Sequence, residues 1–131
     1  MSVCLLALDG EYAICRLPPE HEIPDWAQRG PLFCVARTTE ELSILCAEEN
    51  LPESIHGERG WRVFRVDGRL EFSEIGVLST LAAPLAAAEI SILAFSTFDT
   101  DYVLVRREHW DVAVAALEAA GHRFLGSALE A

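Results

Sequence analysis

Glu89-Ile-Ser-Ile-Leu-Ala-Phe-Ser-Thr-Phe-Asp-Thr-Asp-Tyr-Val-Leu-Val-Arg106 is the stretch that decides how this chain folds. It holds two apolar runs, Ile90–Phe95 and Tyr102–Arg106, each of strand length and rich in β-branched and aromatic residues. Between them lie Ser96 to Asp101, mostly hydroxylic or acidic. Polar residues in that position do not serve a core. They form either a solvated hairpin or the wall of a small-molecule site.

The flanking sequence extends the pattern. Trp61–Val66 reads as a strand, followed by the turn signal Asp67-Gly68. Ser73 is a candidate cap for a helix reaching about Ala88, with Val77, Leu81, Leu85 and Ala88 on one stripe. Pro84 lies inside that helix, where it removes a backbone donor and favours a bend. Trp110, Ala113, Val114, Leu117 and Ala120 mark a second amphipathic helix, closed by Gly121. His122–Leu125 is a last short strand. The order strand–helix–strand–strand–helix–strand builds an antiparallel sheet with both helices on one face, the ferredoxin-like arrangement of the α+β class.

The first half is less regular. Leu5–Leu8 and Tyr12–Leu17 flank Asp9-Gly10, a hairpin signal. Pro18 to Gly30 reads as a loop, with one helical turn at Pro24-Asp25-Trp26-Ala27. Leu32–Arg37 is strand-like, and Thr38 and Glu41 have capping-box spacing. After that pair, Leu42, Ile44 and Cys46 alternate as in a strand, while Leu42, Leu45 and Cys46 also suit a helix; the preferred reading is one helical turn and then a strand. Glu48 to Gly60 is polar and broken by Pro52, Gly57 and Gly60, which places a module boundary near residue 58. The chain then divides into 1–58, a degenerate copy, and 59–131, a complete module.

Composition narrows the function. The 131 residues include 51% hydrophobic ones, enough for a core in a domain of this size. No apolar run approaches the roughly 18–20 residues that span a bilayer. The start Met1-Ser-Val-Cys lacks the basic opening of a secretory signal, so the expected compartment is the cytoplasm. The net charge of -11 repels polyanions and argues against nucleic acid and anionic membranes as partners. The same field favours cationic ligands such as a basic amino acid. Cys4, Cys15, Cys34 and Cys46 form no Cys-x-x-Cys pair and read as buried thiols. His21, His56, His109 and His122 show no metal-ligand spacing, so neither a metal nor a cofactor is expected. Neither a Gly-x-Ser-x-Gly elbow nor a phosphate-binding glycine loop is present, which leaves no motif for catalysis.

Gly76-Val77-Leu78, Pro84-Leu85-Ala86, Ile90-Ser91-Ile92, Leu104-Val105 and above all Ser96-Thr97-Phe98-Asp99-Thr100-Asp101-Tyr102 resemble the ACT domain family. Phe33 to Pro52, with Arg37-Thr38 and Glu41-Leu42-Ser43, is similar to the N-terminal module of a two-module subfamily found in cytosolic arginine sensors and, more distantly, in aspartokinase regulatory regions. The resemblance implies tandem βαββαβ modules and a regulatory role without catalysis. It implies a free amino acid or similar metabolite as ligand, bound between modules near the turn from first strand to first helix. Gly76, Val77, Leu78 and Ser79 are the residues it implies at that turn, with Ser96, Thr97, Asp99 and Asp101 facing the ligand. Helix N-terminal amides suit a carboxylate, and Asp101 suits an ammonium or guanidinium. Arginine sensors carry four modules, so a homodimer of this chain would restore that number. An alternative is a structural or protein-interaction module, also a homodimer, whose site has decayed.

Overall fold

The computed structural model describes residues 1–125. Their strands are β1 (Cys4–Ala7), β2 (Tyr12–Leu17), β3 (Cys34–Arg37), β4 (Leu42–Ala47), β5 (Gly57–Val66), β6 (Ile92–Ser96), β7 (Asp101–Arg106) and β8 (Arg123–Phe124). The helices are α1 (Val77–Ala87) and α2 (Trp110–Ala119). The chain forms two compact units: Gly10–Trp61, and Met1–Asp9 together with the chain from Arg62 onward.

In the second of these, β5, α1, β6, β7, α2 and β8 follow one another in the βαββαβ order. Strand β7 lies between β6 and β5, and β1 lies between β5 and β8. β1 is antiparallel to β5, with Leu5 opposite Val66, and parallel to β8, with Leu5 opposite Phe124. Asp9-Gly10 therefore does not close a hairpin: β1 pairs with residues 64–66, whereas β2 pairs with 57–61 of the same long strand. The sequence boundary near residue 58 also falls within β5, which runs unbroken from Gly57 to Val66.

Both helices bury one stripe against the same sheet face. Val77, Leu81 and Leu85 of α1 and Ala113 and Leu117 of α2 pack with Leu5, Phe64, Val66, Val103, Val105 and Phe124. Full burial of a leucine contributes roughly 1.5–3 kcal/mol, so this stripe is the main attachment of each helix. Phe64, Trp110 and Phe124 meet edge to face, and Arg62 stacks 4.3 Å above the Trp110 ring.

Helix α1 begins at Val77, with Gly76 and not Ser73 at the cap position. Gly76 has φ +82°, a left-handed conformation open to glycine. Pro84 leaves the Thr80 carbonyl without its helical donor. His122 replaces it: its Nε2 lies 3.1 Å from that carbonyl, and its Nδ1 accepts from the Val3 N–H at 3.2 Å. The ring is only 3% exposed, and the two bonds fix the tautomer that carries its proton on Nε2. Both helices end in Schellman motifs. Gly121 and His122 donate to Glu118 and Leu117, and Glu89 and Ile90 donate to Ala86 and Leu85. Gly121 suits its positive φ, whereas Glu89 holds φ 61° against its own Cβ.

Within Gly10–Trp61 the strand order is β3–β4–β2–β5. That is the ferredoxin-like order again, with two 3-10 turns, Asp25–Gln28 and Glu48–Asn50, where helices would stand. Ala13, Cys15, Leu17, Ala27, Leu42, Ile44, Cys46 and Leu51 form the core of this unit. Thr38 does not start a helix. It closes the β3–β4 hairpin, its hydroxyl accepting from the amides of Glu40 and Glu41 at 3.1 Å each. Gly60, at φ +83°, sits at a bulge where the β2–β5 register shifts.

Candidate functional site

The sequence after β5 does not enter α1 directly. Residues 67–76 form a loop, and its Leu70 N–H donates to the Asp99 carbonyl at 2.7 Å. This bond ties the loop to the β6–β7 hairpin. The hairpin is closed by reciprocal bonds between Thr97 and Thr100, with the Thr97 N–H 2.9 Å from the Thr100 carbonyl. The buried Thr100 hydroxyl donates to the Val66 carbonyl at 2.8 Å, which anchors the hairpin to the end of β5.

Loop, hairpin and helix start enclose a cavity of about 380 Å³. Gly76, Val77, Leu78, Ser79, Ser96, Thr97, Asp99 and Asp101 all line it. The eight residues singled out from the sequence thus converge on one cavity. Sequence reasoning missed Leu70, Glu71, Phe72 and Glu74 on the loop side. No pattern marked them, since Phe72 fits neither the strand before it nor the helix stripe after it.

The wall combines groups of both electrostatic signs. Helix α1 presents its first amides without a capping side chain. The N–H groups of Val77, Leu78 and Ser79 have no helical acceptor and sit at the positive end of the helix dipole. Gly76 would not clash if it bore a Cβ, since nothing lies within 4 Å of that position. The lining also carries the carboxylates of Glu71, Glu74, Asp99 and Asp101 and includes no basic residue. Asp99 is held from outside the cavity by Arg69 at 3.3 Å, whose guanidinium also lies 5.3 Å from the Phe98 ring centre. Asp101 accepts from the Ser96 hydroxyl at 2.6 Å, a bond that orients its carboxylate without neutralising it. Phe72 and Phe98 meet edge to face at 4.9 Å on the rim and are 78% and 65% exposed.

A larger cleft of about 610 Å³ lies in Gly10–Trp61, lined by Arg16, Glu41, Ser43, Ser54 and His56 among others. Its Arg16 and Glu41 face one another at 4.0 Å, and it includes the start of neither α1 nor α2. The smaller cavity is the better candidate because it joins the uncapped start of α1 to carboxylates that no basic residue of the lining neutralises. Burial raises the thiols of Cys15, Cys34 and Cys46, the last to about 11, so they stay protonated and unreactive at neutral pH. Among the described residues no helix is long and apolar enough to cross a membrane.

Comparison with known proteins fits this geometry. An ACT domain family model matches residues 56–119, and a model of an N-terminal domain matches residues 10–54. The cytosolic arginine sensor for mTORC1 subunit 1 of Rattus norvegicus is 30% identical over 138 residues, covering 88% of this chain and 41% of the sensor. The chain thus spans about two fifths of the length of that relative. A crystal structure from Agrobacterium tumefaciens superposes with a TM-score of 0.90 at 35% identity, covering 95% of this chain and 93% of the other. The regulatory subunit of aspartate kinase from Thermus thermophilus shares the fold at a TM-score of 0.56 and 17% identity, covering 88% and 96%. With its βαββαβ unit and its matched segment in agreement, the chain carries a domain of the ACT family over residues 56–119.

Proposed function

We propose that this protein is a cytoplasmic regulatory module that binds a free amino acid and acts on a separate partner, with no catalysis of its own. The observation that carries this reading is the convergence of uncapped α1 amides and the Asp101 carboxylate on one cavity. A zwitterion needs both: donors for its carboxylate and an acceptor for its ammonium or side-chain cation. The family and the sensor among its relatives support the same class of ligand. In this reading Gly76, Val77, Leu78 and Ser79 hold the carboxylate, while Asp101, with Ser96, Thr97 and Asp99 around it, holds the cation.

Thermal unfolding against each of the twenty amino acids at millimolar concentration tests it. A ligand at ~100 times its dissociation constant adds about 2.7 kcal/mol, a shift of several degrees for a domain of this size. Asp101→Ala should then weaken that ligand by about 2 kcal/mol, roughly thirtyfold, without loss of fold. Unchanged affinity in the variant would remove Asp101 from the site. A second reading, a homodimeric interaction module, is favoured by the exposed Phe72 and Phe98 on the cavity rim and the exposed Ile75 on the same loop. It gains the lead if no amino acid shifts the transition and sedimentation gives a dimer.

A further inference from the structure

The two hairpins β3–β4 and β6–β7 are built alike, position by position. Arg37 pairs with Leu42 across a four-residue turn, and Ser96 pairs with Asp101 across another. Arg37 and Ser96 are 59 positions apart, and so are Leu42 and Asp101. The turns close by the same bonds. The Thr38 N–H donates to the Glu41 carbonyl at 2.8 Å, and the Thr97 N–H donates to the Thr100 carbonyl at 2.9 Å. The burial of Ile44, Leu45 and Cys46 repeats in Val103, Leu104 and Val105. The 3-10 turns that follow, Glu48–Asn50 and Arg107–His109, keep the same separation.

One carbonyl in each turn is tied to the chain that precedes the hairpin. The Asp99 carbonyl accepts from the Leu70 amide, and the equivalent Glu40 carbonyl accepts from Arg16 Nη2 at 2.8 Å. The difference lies at the cavity. Where Ser96 leaves room, Arg37 extends its guanidinium into the loop after β2. Its Nη1 donates to the Pro19 carbonyl and its Nη2 to the His21 carbonyl at 2.9 Å. Where Asp101 offers a carboxylate, Leu42 is fully buried. Where α1 offers a helix end, Asp25–Gln28 is a single four-residue turn.

We propose that Gly10–Trp61 is a second copy of the same unit in which the equivalent place, between the hairpin and the loop before it, is a guanidinium cradle occupied by Arg37. The Pro19 and His21 carbonyls form the cradle. Arg37 bridges hairpin and loop there, in the place that the other unit leaves open. On the amino-acid-binding reading above, it follows that each chain takes one ligand, in the unit that carries α1.

Amide exchange at Glu20 to Ile23 tests the cradle without any assumption about that ligand. Arg37→Ala should speed exchange there by about fivefold, because the loop loses its two tethers. Guanidinium chloride at 10 mM, far below denaturing strength, should restore the protection, whereas 10 mM sodium chloride or urea should not. Wild-type protein should respond to none of the three. Arg37→Lys serves where the alanine variant does not fold. One ammonium cannot span both carbonyls as a planar fork does, so exchange should be intermediate and guanidinium should slow it further. Unaltered exchange in the variants, or faster exchange that guanidinium fails to reverse, would overturn the cradle. Calorimetry with an amino acid found in the thermal screen gives a separate result: two ligands per chain of wild type would overturn the inference, and one per chain is expected. Failure of every amino acid to bind would count against the proposed function, while the exchange result would still decide the cradle.

Discussion

His122 and Pro84 should be energetically coupled although they are far apart in sequence. Proline withholds the donor that the Thr80 carbonyl would receive within α1, and His122 Nε2 supplies one from outside. His122→Ala removes that donor and also the acceptor of the Val3 N–H. Leaving a buried polar group without a partner costs about 1–3 kcal/mol, and the lost ring packing adds to it, so a total of about 2–4 kcal/mol is expected. Pro84→Ala restores a helical amide to Thr80. In that background the carbonyl keeps a partner when the imidazole is lost, so His122→Ala should cost about 1 kcal/mol less. Urea unfolding of the four proteins gives the comparison from shifts in midpoint at constant m. Equal costs of His122→Ala in both backgrounds, within about 0.3 kcal/mol, would refute the reasoning and reduce His122 to a packed ring. The outcome bears on function because α1 carries Gly76 to Ser79 into the cavity.

Glu89→Gly should stabilise the protein by about 0.5–1 kcal/mol in urea unfolding, since the left-handed position then carries no Cβ, less the added freedom of the unfolded chain. Gly57→Ala should destabilise it by about 1–3 kcal/mol, because the new Cβ would sit 2.9 Å from the Ile14 carbonyl oxygen and 3.2 Å from the Cys15 Cβ; an unchanged midpoint would mean that β2 and β5 separate without cost. Stability should fall above pH 9: the unfolded Cys46 ionises near 9 while the folded thiol holds its proton to about 11, so the unfolded state releases protons first and gains up to about 2 kcal/mol across that window. Cys46→Ala should flatten that part of the pH profile.

The second half of the chain was legible because each element there has an unbroken period. The α1 stripe Val77, Leu81 and Leu85 is fully or nearly buried, as its spacing requires. What the sequence could not show was which partner a buried strand chooses. Leu5 and Ala7 mark β1 as core-bound, yet nothing in them distinguishes pairing with β2 from pairing with β5. The Asp9-Gly10 signal was locally sound, since Gly10 does hold φ +81°, but a turn residue specifies a change of direction and not a neighbour. The internal repeat was hidden for a different reason. Between residues 34–51 and 93–110 only Thr38/Thr97, Leu45/Leu104 and Glu49/Glu108 are identical. Sheet pairing asks for burial at alternating positions, which many side chains satisfy. The hairpin side of the cavity could be read from its polar cluster. The loop side could not, because Phe72 and Ile75 are apolar residues that the fold leaves at the surface.

The place of β1 sets an order on synthesis. Cys4 pairs with Arg123, and Val3 bonds to His122 across a separation of 119 residues. A ribosome releases the first strand early, but that strand has no seat until β5 and then β8 follow. Gly10–Trp61 holds its own four-strand sheet and is able to fold while the rest is still being made. The first nine residues must meanwhile wait as an unpaired apolar segment, the state in which strands find wrong partners. Long-range closure of this kind is slow. A gene fragment cut to residues 56–119 would lack both β1 and β8, leaving one flank of β5 bare, so the piece most recognisable by sequence is not the piece that can stand alone.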